Sequence, residues 1–263
     1  MRLLVSFKIC PDLELLREED IILTEEMGID THFLPNIINC YDESALELAL
    51  RLRDKTKELP VEISAFTVGN EQAELTLKSL RALGFVHTVR AEDEKGYTDF
   101  SPETVAQTVA AYIKEYPQDC ILLGKEAPNG NHGIMAGLVA EKIKYPLIGP
   151  MIDIVSADQE SVTVLVSDEG RIRKQIVSFP CVLCVGNAVI SKLRVATLRE
   201  RMKVSKTESE SISLTYPDHR YIKAPEEINL MIAKRACYQS KKGGSEAVRD
   251  ILENGLQKVL EQI

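Results

Sequence analysis

The sequence predicts an α/β protein: a parallel sheet with helices on both faces, an antiparallel extension and a C-terminal arm. Short apolar runs alternate with helix-periodic segments over the first two-thirds of the 263 residues, which is the pattern of a parallel sheet joined by crossover helices. Two strand-like runs then follow with only a turn between them, which is too short for a crossover. After residue 186 the chain is polar and the alternation ends.

The first four predicted elements follow from apolar spacing and from their end signals. They are a strand at 3–7, a helix at 43–57, a strand at 61–68 and a helix at 71–83. Ser44 and Glu47 form a capping box near the start of the first helix. Gly69 closes the second strand, and Gly84 stops the second helix because glycine readily takes the left-handed conformation found past helix ends.

The next four elements continue the alternation. They are a strand at 87–90, a helix from 101 to about 116, a strand at 120–123 and a helix at 133–144. Ser101, Pro102 and Glu103 provide a cap, a first-turn proline and a first-turn acid for the third helix.

The last third of the chain is organised differently. Runs at 161–166 and 171–178 flank a turn at Glu169-Gly170, so we expect an antiparallel pair there, and a further strand at 181–185. A helical period returns only at 246–260. The sequence therefore predicts a core at 1–186 and an arm at 187–263 that ends in an amphipathic helix.

Composition argues against several functions. The net charge of −8, the absence of Trp and the 5% aromatic content disfavour a nucleic-acid partner. No apolar run reaches 18 residues, and Lys8 and Asp12 come too early for a secretory signal. Six scattered cysteines fit a reducing compartment. We therefore expect no membrane span and a cytoplasmic location.

Cys181 and Cys184 have the spacing of a metal or redox pair, but we expect them to be buried structural thiols. Residues three apart in a strand point to opposite faces, so their sulfurs should diverge. No second pair of this spacing is present to complete a tetrahedral site.

The candidate binding site is the loop between the strand at 120–123 and a helix that starts near Gly133. Open α/β sheets bind ligands at the carboxyl ends of their parallel strands, and the free amides of a helix start suit a phosphate. Gly130 and Gly133 would let the backbone approach a ligand closely. The loop matches neither standard glycine-rich phosphate pattern, so a turn with an Asn cap is the alternative.

Three other loops belong to the same predicted edge, at 7–8, 39–42 and 68–70. Together they could surround an adenine and its ribose, although each could also be an ordinary loop. The four histidines are isolated, and only His132 lies on the candidate loop. Since nothing in the sequence nominates a general acid, a base or a nucleophile, binding or electron carriage is favoured over hydrolysis.

Several motifs along the chain occur together in one known family. They are Val5-Ser6-Phe7-Lys8, Asn39-Cys40-Tyr41-Asp42-Glu43, Thr67-Val68-Gly69, Ala82-Leu83-Gly84, Leu123-Gly124-Lys125-Glu126-Ala127, Phe179-Pro180-Cys181-Val182, and Ala196-Thr197-Leu198 with Met202-Lys203. In these motifs the chain resembles the small (beta) subunit of electron-transfer flavoproteins over nearly its whole length. It resembles a divergent branch, because Asn129 and Asn131 stand where the family usually has Asp and Arg199 where it has Pro.

The resemblance implies a Rossmann-like sheet, a site and partners. Adenine-nucleotide contacts would fall on Ser6, Asn39, Val68, Gly124, Asn129, Asn131, His132, Gly133, Ile134 and Met135. The nucleotide would be AMP, or a FAD in electron-bifurcating members. The family pairs with a large (alpha) subunit that holds a redox-active FAD. It docks flavin-dependent dehydrogenases through a loop whose leucine would be Leu198. The implied role is that of an electron carrier rather than an enzyme.

Two alternatives stay open beside this interpretation. The chain could be a stand-alone adenine-nucleotide-binding protein or hydrolase on a similar sheet, or an assembly subunit with an empty site. The segment 191–206, with six cations and one acid, could be a solvated basic stretch or a steering patch around Leu198.

Overall fold

The computed structural model describes residues 1–23, 29–56, 58–93, 101–128, 133–168, 170–216 and 239–256. The chain divides into two compact units, Met1–Lys223 and Ala224–Ile263. The functional division at 186/187 stays a prediction.

The first unit is built on a nine-stranded sheet with the order β11-β5-β4-β1-β6-β10-β7-β8-β9. Its strands are β1 (Arg2–Ser6), β4 (Glu62–Gly69), β5 (His87–Glu92), β6 (Cys120–Gly124), β7 (Leu147–Ala157), β8 (Ser161–Asp168), β9 (Arg171–Ser178), β10 (Cys181–Val185) and β11 (Glu210–Ser213). A separate antiparallel pair joins β2 (Ile9–Pro11) and β3 (Asn36–Ile38). The strands from β11 to β7 run parallel, whereas β7, β8 and β9 are antiparallel. Both the parallel core and the antiparallel extension are therefore confirmed.

Helices cover both faces of this sheet. In the first unit they are α1 (Cys40–Lys55), α2 (Ala73–Ala82), α3 (Pro102–Glu115), α4 (Met135–Ile143) and α5 (Leu198–Lys203). One apolar cluster joins α1 and α2 to Leu3 and Val5 of β1, and a second joins α3 and α4 to Leu4. Because neighbouring strand residues point to opposite faces, this split places the two helix pairs on opposite sides of the sheet.

Helix α1 starts three residues before the predicted position. Asn39 is its N-cap residue, and Ser44 lies inside the helix with its hydroxyl donating to the Cys40 carbonyl oxygen at 3.0 Å. The predicted capping box of Ser44 and Glu47 is wrong, because Glu47 instead accepts hydrogen bonds from Arg51 and Arg194. The residues read as a loop therefore form the first turn of the helix.

Strands β2, β3, β7 and β11 and helix α5 were not predicted from the sequence. Gly149 and Pro150 interrupt the apolar run of β7, and Gly149 packs so closely on β10 that a Cβ there would lie 2.6 Å from the Cys184 Cβ. Strand β11 is short, has Ile212 as its one apolar residue and pairs in parallel with β5 at the sheet edge. A polar edge strand leaves almost no hydrophobic period to detect.

The two cysteines of β10 diverge as expected. Cys181 lies in the first apolar cluster with its Sγ 3.8 Å from the Sγ of Cys120, whereas Cys184 packs against the second cluster. All five cysteines of the described ranges are free.

The second unit contains a helix, α6 (Gly244–Asp250), that continues as a π-helical turn at Ile251–Gly255. The predicted helix at 246–260 is confirmed as far as the description of the chain extends. Val248, Ile251 and Leu252 on it are exposed. Within the described ranges, no helix is both long and apolar enough to cross a membrane.

Candidate functional site

The predicted site residues at the sheet lie along one edge. Strands β4, β1 and β6 are adjacent and parallel, so their last residues Gly69, Ser6 and Gly124 share the carboxyl edge. Asn39 lies beside the end of β1, since its amide donates to the Lys8 carbonyl oxygen at 2.9 Å. Ligand sites of open α/β sheets lie at this edge.

A buried carboxylate, that of Asp42, connects the chain segments at this edge. Its Oδ2 accepts from the Lys8 amide at 2.9 Å and from Asn39 Nδ2 at 3.0 Å. Its Oδ1 accepts from the Gly124 amide at 2.8 Å. One side chain in the first turn of α1 thus holds the ends of β1 and β6.

This arrangement requires a glycine at position 124. A Cβ at this position would lie 2.3 Å from Asp42 Oδ1 and 2.8 Å from the Tyr41 Cβ. Gly124 was a predicted site residue, whereas Asp42 was predicted only as part of the loop at 39–42. The detectable signal was an acid three residues after Asn39 together with a glycine ending the central strand.

The loop that follows β6 is fixed at its beginning. Asn39 Nδ2 donates to the Glu126 carbonyl oxygen at 2.8 Å, and the Tyr41 hydroxyl donates to Glu126 Oε1 at 3.1 Å. The Lys125 amide donates to the Val185 carbonyl oxygen at 2.8 Å. The first turn of α1 and the end of β10 therefore position this loop.

Burial dominates the electrostatics of the edge. Burial raises the pKa of Asp42 to about 6, although the hydrogen bonds from Asn39, Lys8 and Gly124 each act to lower it. Burial also raises the pKa of the Tyr41 hydroxyl, and the hydrogen bond to Glu126 adds to this effect. The ionised form of Asp42 is thus held in a place that penalises its charge.

Helix α4 begins with the residues predicted to bind phosphate. Gly133 has a φ of +64°, Ile134 is the N-cap residue and Met135 is the first helical residue. Gly133 and Ile134 are exposed, so their backbone is open to a ligand. The other predicted loop residues, Asn129, Asn131 and His132, lie outside the described residues. The contacts of this loop with a nucleotide stay a prediction.

The predicted recognition residue Leu198 begins the short helix α5 and is 75% exposed. A capping box starts this helix: Glu200 donates its amide to Thr197 Oγ1 at 3.3 Å, and Thr197 donates its amide to Glu200 Oε2 at 2.7 Å. Val195 and Met202 nearby are exposed as well. An apolar surface is therefore presented among the cations of this segment.

Arg194 is held in ion pairs with the acids of α1, which sets it apart from the predicted steering patch. Its guanidinium donates to both carboxylate oxygens of Glu47 and to Asp54, and its backbone amide donates to Glu47 Oε2 at 3.1 Å. The Leu193 amide donates to Glu43 Oε1 at 3.0 Å. Although burial acts to raise the pKa of Glu47, the hydrogen bonds from Arg194 and Arg51 hold it below its usual value.

The described ranges contain no metal-binding cluster of side chains, and their two histidines lie apart from each other. Over the described ranges, no set of three or more His, Cys, Asp and Glu side chains could hold a metal ion. His32 is exposed beside Asp30. His87 begins β5, at the amino edge of the sheet, between Glu62 and Glu210.

These features define an α/β protein whose parallel sheet is covered by helices on both faces and whose predicted site loops lie at the carboxyl ends of the strands. The electron transfer flavoprotein domain model matches residues 26–215, which is most of the chain. The chain belongs to this family, and its relatives place it with the beta subunits.

Three relatives illustrate the similarity. The chain is 28% identical to the YgcR protein of Escherichia coli over 210 residues, 79% of this chain and 80% of that one. It is 30% identical over 180 residues to the electron transfer flavoprotein subunit beta of Bacillus subtilis, covering 68% and 67% of the two chains. It is 27% identical over 194 residues to the caffeyl-CoA reductase-Etf complex subunit CarD of Acetobacterium woodii, covering 70% and 68%.

Proposed function

We propose that the chain is the small subunit of a heterodimeric electron-transfer flavoprotein. In this role it binds an adenine nucleotide, AMP or FAD, and pairs with a large subunit that holds a redox-active FAD. Electrons pass to that subunit from a flavin-dependent dehydrogenase. The family match over residues 26–215 is the observation that carries this proposal.

The residues at the carboxyl edge fit an adenine nucleotide. The open backbone from Gly133 to Met135 offers amides at the start of α4 to a phosphate. Ser6 and Asn39 lie at the neighbouring chain ends and are candidates to contact the ribose and adenine, together with Val68 near the end of β4. The loop residues Asn129, Asn131 and His132 stay candidates for the same nucleotide.

The bound flavin supplies the electron chemistry, and this chain supplies binding and docking. Asp42 and Asn39 orient the chain segments around the nucleotide. Leu198 provides an apolar anchor, and the surrounding cations would steer an acidic dehydrogenase toward it. The free cysteines fit a reducing compartment, so we place the protein in the cytoplasm.

The test is to purify the chain together with its large subunit, denature the complex and identify the released nucleotides by mass spectrometry with phosphate quantitation. One AMP and one FAD per complex would identify a simple carrier, and two FAD a second flavin in this subunit. A complex with flavin only in the large subunit would mean that this chain is an assembly subunit with an empty site. Turnover of ATP by the flavin-free chain would overturn the carrier proposal in favour of a hydrolase.

A further inference from the structure

The bonding of Asp42 has a feature that an ordinary surface acid lacks. Its two oxygens receive three donors from three separate chain segments: the second residue after β1, the residue before α1 and the last residue of β6. The carboxylate is buried with 6% of its residue surface exposed. Each of these three segments carries a predicted nucleotide contact: Ser6 at the end of β1, Asn39 and Gly124.

An ionised carboxylate satisfies all three donors best. Both of its oxygens accept without competition, whereas a protonated acid or an amide carries a donor on one of these two atoms. With Lys8 and Asn39 donating to Oδ2 and Gly124 donating to Oδ1, an amide sets a donor against a donor, and protonation turns one oxygen into a hydroxyl that accepts more weakly. A buried amide that loses its acceptor is costly, so the segments would separate or rearrange.

We propose that the ionised carboxylate of Asp42 is the positioning group of the nucleotide site, and that its protonation loosens the three segments and releases the nucleotide. This inference rests on the proposed function. It makes occupancy of the site sensitive to acidification. Asp42 acts through Lys8, Asn39 and Gly124 rather than by touching the ligand.

The neighbouring titratable groups permit such a switch in the mildly acidic range. Among the described residues, the charged and titratable groups around Asp42 are Lys8 after β1, Cys10 of β2, Cys40 of α1, Lys125 and Glu126 after β6, and Cys184 of β10. Burial raises the pKa of Cys10 to about 11 and also raises that of Cys184, so neither thiol titrates near neutrality. The charge of Asp42, with its pKa of about 6, changes in that range.

The first experiment measures FAD binding to the full chain between pH 7 and pH 5. FAD is a suitable probe because its pyrophosphate diester has no group that titrates in this range. If only the ionised form binds, the affinity of the native chain falls about tenfold over these two units. Asp42→Asn should bind at least about tenfold more weakly at pH 7 and lose the pH dependence.

Asp119→Asn is the matched control. The Asp119 carboxylate also accepts a backbone amide of β1, that of Arg2 at 2.7 Å, but at the opposite end of the strand. The affinity of the Asp119→Asn variant for FAD, and the pH dependence of that affinity, should match those of the native chain. An Asp42→Asn variant with native affinity and a native pH profile would overturn the proposal.

The second experiment needs no nucleotide and therefore separates this inference from the proposed function. Protection of the Lys8 and Gly124 amides against hydrogen exchange, corrected for intrinsic rates, should fall between pH 7 and pH 5 in the native chain. The Lys125 amide should keep its protection because it donates to the Val185 carbonyl oxygen. If FAD and AMP both fail to bind but the two amides respond, the proposed ligand is wrong and Asp42 still positions the loops. Unchanged protection of both amides would overturn the positioning role, whatever binds.

Discussion

Arg194 lies across Glu47 so that its guanidinium donates to both carboxylate oxygens and its backbone amide donates to one of them. Glu47 is on the long helix α1, and Arg194 is four residues before the first residue of the short helix α5. The pair therefore fastens the segment that carries Leu198 to the core of the sheet. The same helix holds Asp42 in its first turn, so α1 organises both the carboxyl edge proposed to bind the nucleotide and the segment proposed to dock a partner.

Removing Arg194 should destabilise the protein because Glu47 is then left buried with fewer partners. We expect Arg194→Ala to lower the free energy of unfolding by about 1–2 kcal/mol, a value reduced because the arginine side chain is partly exposed. Urea unfolding of the purified protein measures this change.

Arg51→Ala provides the comparison for Arg194→Ala. Arg51 also donates to Glu47, at 3.2 Å, but its side chain is 46% exposed and lies on the same helix. Arg51→Ala should lower the free energy of unfolding by less than about 0.5 kcal/mol. Equal losses in the two variants would show that Arg194 does not fasten the docking segment.

The alternation of strands and helices was predictable because every central strand is buried on both faces. Strand β6 is buried throughout its length, so its apolar run is unbroken in the sequence. Strand β7 is half exposed and β11 is polar, and neither leaves a comparable pattern. For this reason the strands toward the sheet edges were harder to predict from the sequence than the central strands.

The role of Asp42 could not be predicted from local sequence. An acid in the first turn of a helix is ordinarily a partner of the helix dipole and exposed to water. Its burial depends on the approach of Gly124, which is 82 residues away along the chain. Only the tertiary fold brings the glycine and the acid together, and only then does the need for glycine at 124 become apparent.

Leu198→Ala tests the docking surface. If Leu198 is a buried anchor in the complex with a dehydrogenase, truncation should weaken electron transfer about 5- to 30-fold at sub-saturating partner. The effect should persist at high salt, because an apolar contact is not screened. Reduction kinetics of the two-subunit complex by its dehydrogenase measure it, with nucleotide and flavin content unchanged.

Two further variants are compared with Leu198→Ala: a charge reversal and a matched apolar truncation. Reversing the charges of Arg199 and Arg201 should slow association mainly at low ionic strength. Ile172→Ala is the matched apolar truncation, since Ile172 is exposed on β9 at the far edge of the sheet. Native kinetics in Leu198→Ala, or an equal loss in Ile172→Ala, would refute the assignment of Leu198.

Gly124→Ala tests the close packing at the nucleotide edge. The added Cβ would lie 2.3 Å from Asp42 Oδ1, so the carboxylate or the strand end must move. We expect a loss of about 2–3 kcal/mol in the free energy of unfolding, together with a loss of nucleotide retention. Gly137→Ala in α4 is the control, because a Cβ there meets nothing within 4 Å. That change should be neutral or stabilise by up to about 1 kcal/mol, and a Gly124→Ala protein that retains its nucleotide would contradict the packing argument.

The pH dependence of stability gives an independent test of how Asp42 is held. Its pKa rises from 3.8 to about 6 on folding, so between these values the folded protein binds a proton that the unfolded chain does not. This contribution to stability is largest at low pH and is lost as the pH rises through 6, amounting to about 3 kcal/mol across the window. Carboxylates with lowered pKa values, such as Glu47 and Asp54, act in the opposite direction.

The difference in unfolding free energy between the native chain and Asp42→Asn isolates the contribution of Asp42, because the other carboxylates are common to both. Relative to the variant, the native chain should lose stability from pH 4 to pH 7 by up to about 3 kcal/mol. A difference that stays constant over this range would mean that the carboxyl is not held at a raised pKa. If the difference changes as expected, the ionised form of Asp42 that positions the loops is also the form that lowers the free energy of unfolding at neutral pH. Such a cost is expected where a carboxylate stays ionised in a buried place, because burial penalises its charge while the three donors still require it as an acceptor.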